Sequence, residues 1–122
     1  MIDHVGLNVS DYRRSKDFYT KALGPIGYEI VMDFEDWGTG FGAAGKPDFW
    51  VARRDPVGFT HVAFSTDDRA VVDAFYQAAI DAGGADNGPP GLRPDYHEHY
   101  YAAFVHDPDG NNVEVVCHKA PA

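Results

Sequence analysis

Polar and apolar positions alternate where the chain begins. In "DHVGLNV" (Asp3 to Val9), Val5, Leu7 and Val9 take one face, and His4, Gly6 and Asn8 take the other. A period of two is the signature of a strand with one buried face. The period then changes. Phe18 and Ala22 lie four apart, with Ser15 and Tyr19 beside them, which predicts one packed face of a helix. Ser10 or Asp11 can cap its start, and Gly24 stands where it should stop. The alternation returns in "FTHVAFST" (residues 59–66), where Val62 and Phe64 oppose His61, Ala63 and Ser65. A second helical stripe follows in Val72, Phe75, Tyr76, Ala79 and Ile80, between a cap at Asp67 or Asp68 and Gly83–Gly84.

The two stretches are copies of one pattern. Laid over one another at an offset of 57 residues and without a gap, they match at seven positions. The matches are His4 with His61, Val5 with Val62, Asp11 with Asp68, Phe18 with Phe75, Tyr19 with Tyr76, Ala22 with Ala79, and Gly27 with Gly84. Self-similarity of this kind marks a repeated supersecondary unit. Shorter β-like segments follow each helix, at 27–33, 38–43 and 48–54 in the first copy and at 84–88 (weak), 100–106 and 112–117 in the second. "DPDGN" (Asp107 to Asn111) is a turn between the last two, and "NGPPGLRP" (Asn87 to Pro94) reads as a loop. The expected fold is therefore α+β: two tandem βαβββ modules, about 1–57 and about 58–122, in a single domain.

Composition narrows the class. Hydrophobic residues make up 44% of 122 residues, enough for a core. No apolar run reaches membrane-span length, and the N-terminal stretch lacks the pattern of a secretory signal. The single cysteine, Cys117, excludes an internal disulfide and fits a reducing cytoplasm. Its parity is that of Val113 and Val115, so it reads as a small buried hydrophobe. A net charge of −9 argues against nucleic acid and anionic membranes as partners.

Strand parity also supplies candidate chemistry. In "NNVEVVCH", Val113 and Val115 take the face expected to meet a helix, which puts Glu114 on the face that carries His4 and His61. Two imidazoles and a carboxylate suit a divalent first-row metal with open positions. The competing reading is a pair of structural histidines and a solvated glutamate. "RPDYHEHYYAAF" (Arg93 to Phe104) is either a wall of the cleft or a half-buried strand with exposed histidines. As a wall it would offer His97 or His99 as general acid or base, and Arg93, Tyr100 and Tyr101 as substrate contacts. Trp50 and Phe41 either line the pocket or pack the sheet. His106 and His118, at strand ends, read as surface residues.

Taken in order, "DHVGLNVSDYRRSKDFYTKALGPIGYEI", "FTHVAFSTDD" and "HDPDGNNVEVV" resemble the vicinal oxygen chelate superfamily. That group includes glyoxalase I, bleomycin and fosfomycin resistance proteins, and extradiol dioxygenases. The resemblance covers nearly the whole chain. It implies a curved mixed sheet around a metal cleft, often completed across a homodimer. It also implies His4, His61 and Glu114 as ligands of a divalent ion (Zn, Mn, Fe, Ni or Co), with Glu114 also catalytic. Glyoxalase I carries a fourth ligand, a glutamate on the last strand of the first module. Here that position falls at or near Trp50, whose indole N–H can only donate, and Asp48 is the nearest carboxylate. Plain glyoxalase I activity is thus disfavoured. The leading expectation is a cytoplasmic metal-dependent enzyme of lyase or dioxygenase-like type, acting on a small oxygen-bearing substrate. The alternative is a metal-free protein of the bleomycin-resistance type that sequesters a ligand.

Overall fold

The structure is a computed structural model and describes residues 1–121. Each module folds as the repeat predicts. The first contains β1 (Val5–Val9), α1 (Tyr12–Ala22), β2 (Glu29–Asp33), β3 (Gly38–Gly42) and β4 (Phe49–Arg53). The second contains β5 (His61–Ser65), α2 (Arg69–Asp81), β6 (Ala85–Leu92), β7 (Tyr101–His106) and β8 (Asn112–Cys117). The strands form two four-stranded mixed sheets, ordered β1-β4-β3-β2 and β5-β8-β7-β6. In each sheet the first and last strands of the module run parallel, and the other pairs are antiparallel. The helix supplies the crossover that a parallel pair requires.

The caps are Asp11 and Asp68, whose carboxylates accept from the amides of Arg14 and Ala70. The helix faces bury Tyr12, Ser15, Phe18, Tyr19 and Ala22 in α1, and Val72, Phe75 and Ala79 in α2. One core runs through both modules. The Phe64 ring meets Phe49 edge-on at 5.2 Å and Tyr28 at 5.3 Å. Gly84 permits a close approach between the modules: a Cβ there would lie 2.5 Å from Val105 Cγ1 and 2.8 Å from the Phe18 ring. Cys117 is buried, as its parity predicts.

Two polar links tie the helical side of the first module to the turn before β8. Tyr19 is fully buried, and its hydroxyl donates to Asp107 Oδ2 at 2.5 Å. Asp107 also accepts from the Asp109 and Asn111 amides and from the Asn111 side chain. This is why "DPDGN" makes a fixed turn. Burial, and then the Asp107 charge, push the Tyr19 phenol well above its ordinary pKa. The Ser10 amide donates to Asp109 at 3.2 Å.

One expectation is corrected. The segment expected to be a loop at 87–94 is largely strand, because β6 continues through Pro89 and Pro90 to Leu92. It lies at the sheet edge and pairs only with β7, so two missing amide donors cost little there. Its register shifts between Asp86 and Gly88 and again between Gly88 and Gly91, which accommodates the prolines and twists the edge.

Candidate functional site

The second module gathers the denser cluster. Ala63 on β5 stands opposite Glu114 on β8, and His61 stands opposite Asn112, so His61 and Glu114 share a sheet face. His61 Nε2 lies 2.8 Å from Glu114 Oε1. The His61 side chain is 54% exposed, while that of Glu114 is 1% exposed beneath it. A buried carboxylate must be compensated. The second donor is Tyr100, whose hydroxyl bonds to Oε2. Burial, and then Glu114, push the Tyr100 phenol well above its ordinary range, so it stays a neutral donor.

Tyr100 is itself clamped by aromatic edges. Tyr96 lies 4.8 Å from its ring, His118 5.2 Å and His97 5.4 Å. His97 Nδ1 accepts the His99 amide at 3.1 Å, so its Nε2 carries the proton donated to His118 Nδ1 at 2.8 Å. Both imidazoles brace Tyr100 and neither bonds to Glu114. His99 turns toward exposed Glu98 at 3.5 Å.

The other expected contact residues divide. Tyr101 pairs in register with Cys117, on the helix side of the sheet, and its hydroxyl donates to Asp73 of α2 at 2.6 Å. Arg93 lies over the Phe104 ring at 5.3 Å, and Phe104 adjoins His61 at 6.4 Å, so Arg93 borders the His61 side. His106 is half-buried rather than purely surface and lines a shallow cleft of about 520 Å³ with His61. The sequence reading put it at the surface; its parity with Asn112 and His61 was the available signal.

The first module builds the matching half. Gly6 on β1 stands opposite Trp50 on β4, as Ala63 stands opposite Glu114. His4 precedes β1, and its Nδ1 donates to Asp3 Oδ1 at 2.8 Å, so Nε2 is the ring nitrogen turned away from that bond. Asp3 also pairs with Lys46 at 3.1 Å. The His4 bond and then Lys46 hold the Asp3 carboxyl below its usual range. A histidine tied to a carboxylate through one nitrogen is oriented to ligate through the other. His4 and Trp50 line a cleft of about 410 Å³.

Within one chain, then, His61 and Glu114 are brought together, and His4 is not with them. Among the described residues no three His, Cys, Asp or Glu side chains converge as a metal site. The donor types that do meet, an imidazole nitrogen and a carboxylate oxygen, fit a divalent first-row ion, and one chain supplies two of the three expected.

Comparison with known proteins agrees with the fold. No curated protein matches the chain. A glyoxalase/bleomycin resistance protein from Albidiferax ferrireducens T118 is 26% identical, with a TM-score of 0.80 over 96% of this chain and 98% of that one. A lactoylglutathione lyase from Agrobacterium tumefaciens shares the fold at 22% identity, with a TM-score of 0.72 over 95% of this chain and 92% of that one. TioX from Micromonospora sp. ML1 shares it at 17% identity, with a TM-score of 0.74 over 98% and 99% of the two chains. The sequence model of the Glyoxalase/Bleomycin resistance protein/Dioxygenase superfamily matches residues 1–115, and the chain belongs to that superfamily.

Proposed function

We propose that the protein is a metal-dependent enzyme acting on a small oxygen-bearing substrate, with each site shared between two copies of the chain. Glu114 and His61 of one copy and His4 of the other form the ligand set. One observation carries this reading: a fully buried carboxylate, held by Tyr100, meets His61 at 2.8 Å, while an oriented His4 sits on the other module. A homodimer that apposes first and second modules would complete the set, and an isolated chain would not.

A bound divalent ion would supply Lewis acidity toward substrate oxygens. The chain's own groups do the rest. Tyr100 fixes Oε2 of Glu114, leaving Oε1 directed at His61. Asp3 fixes the His4 tautomer. Trp50 removes the carboxylate that would otherwise stand opposite Gly6, so proton transfer of the glyoxalase I kind has no base there. His61, half-exposed above the buried Glu114, would present its ligating nitrogen to the ion from the open side of the cleft.

The test is equilibrium dialysis of chelator-treated protein against zinc, manganese, iron(II), nickel and cobalt in turn. His61→Ala and Glu114→Gln should each abolish binding of the ion that the unaltered chain retains. If the unaltered chain retains none, the second reading gains: a metal-free protein that sequesters a ligand. The three-ring stack of Trp37, Phe34 and Trp50 beside His4 favours that reading independently.

A further inference from the structure

The cleft beside His4 has a floor and a wall of unusual composition. Phe34 stacks on Trp37 with ring centroids 5.0 Å apart and planes 13° apart. It stacks on Trp50 at 6.1 Å and 19°. Three rings are thus nearly parallel, with Phe34 in the middle, and Trp37 remains 46% exposed. The Trp50 indole lies across Gly40: a Cβ there would come within 2.9 Å of two indole carbons. On the opposite side of Trp50, a Cβ on Gly6 would meet nothing within 4 Å. One glycine seats the indole and the other leaves open space beside it.

The cleft's charge is opposite to the protein's. The chain carries a net charge of −9, yet among the described residues no carboxylate lines this cleft. Arg54 lines it and makes no ion pair or side-chain hydrogen bond among the described residues. Asn8 also lines it; its amide nitrogen is committed to the Pro56 carbonyl at 3.1 Å, which leaves its oxygen as an acceptor. A volume of about 410 Å³ suits a ligand of one or two fused rings.

We infer that this cleft binds a planar aromatic anion, its ring stacked on the Trp37 and Trp50 indoles, which Phe34 holds nearly parallel, and its acidic group directed to Arg54. The inference deepens the function proposed above, on which it rests for calling the ligand a substrate: the oxygen-bearing molecule is an aromatic acid rather than a small aliphatic carbonyl compound. Aromatic ring faces prefer offset stacking on flat partners, which a saturated ring cannot reproduce. A guanidinium stays charged at any working pH and pairs in a planar fashion with a carboxylate.

The test uses naphthalene carboxylate, with cyclohexane carboxylate and naphthalene methanol as controls. Trp37 and Trp50 are the chain's two tryptophans and both line the cleft, so tryptophan emission reports on it alone, and calorimetry gives the affinity. Naphthalene carboxylate should quench saturably. Cyclohexane carboxylate should bind about five- to tenfold more weakly for want of stacking. Naphthalene methanol should bind roughly three- to fivefold more weakly for want of charge. Arg54→Gln should erase the preference of acid over alcohol, and Gly6→Val, filling the open space, should abolish binding. Binding is measured on the chelator-treated chain, where naphthalene carboxylate should still quench saturably, so that retention of metal and binding of the ring are read separately. Absence of saturable binding, equal affinity for the cyclohexane acid, or an acid preference that survives Arg54→Gln would each overturn the inference.

Discussion

Trp50 stands opposite Gly6 in the first module at the register position that Glu114 occupies opposite Ala63 in the second. Since Gly6 and Ala63 are equivalent in the repeat, an indole and a carboxylate have taken one structural place. Restoring the carboxylate should therefore restore a ligand. Trp50→Glu is expected to tighten divalent metal binding by at least about tenfold, since even outer-shell changes move affinity that far. Competition with a chelator of known affinity measures it. The same change should weaken aromatic binding in the first-module cleft.

Tyr100 is a positioning residue for Glu114. Tyr100→Phe keeps the ring between Tyr96, His97 and His118 but leaves Oε2 of a buried carboxylate without its phenol donor. The expected loss of stability is about 1–3 kcal/mol, read from the urea midpoint. Metal affinity should fall roughly tenfold or more, as for other outer-shell partners, which a purely structural role would not require.

The link between Tyr19 and Asp107 joins α1 to the turn before β8. Tyr19→Phe leaves Asp107 its Asn111 and Asp109 donors but removes the phenol proton. A destabilisation of about 1–2 kcal/mol is expected in urea unfolding, with the fold retained by circular dichroism.

Alkaline pH should act through Tyr100. Its folded pKa is raised, first by burial and then by Glu114. A raised pKa means that the folded state holds the proton more tightly than the unfolded chain. The stabilisation is fully present below the unfolded phenol pKa of about 10 and is lost as pH rises through the higher folded value. Ultraviolet titration should find Tyr100 and Tyr19 ionising late. In Tyr100→Phe, the decline of stability above about pH 10 should be shallower than in the unaltered chain.

Much of this was legible in the sequence because it is local. Period-two alternation, Asp11 and Asp68 as caps, and the "DPDGN" turn depend on neighbours a few residues away. Parity alone placed Glu114 and His61 on one face, and their parallel strands put them 2.8 Å apart. Residues 87–94 were misread because proline forbids strands in general but not at an unpaired edge, and edge position is a property of the sheet order. His4 was expected beside His61 from the repeat. Parity fixes which face a side chain takes, while the apposition of two modules depends on packing that no single strand encodes. Tyr100 was read as a substrate contact because its bond to Glu114 crosses the β7–β8 hairpin, between residues 14 apart in the chain.

The most direct measurement mixes two defective chains. His4→Ala and Glu114→Gln are purified separately, unfolded together in urea, refolded as a mixture and assayed for bound metal. Each alone should bind none. If each site joins His4 of one copy to His61 and Glu114 of the other, every mixed dimer regains one intact site, and metal binding returns to about one ion per heterodimer. No recovery in heterodimers confirmed by differential tagging would contradict a site shared between copies.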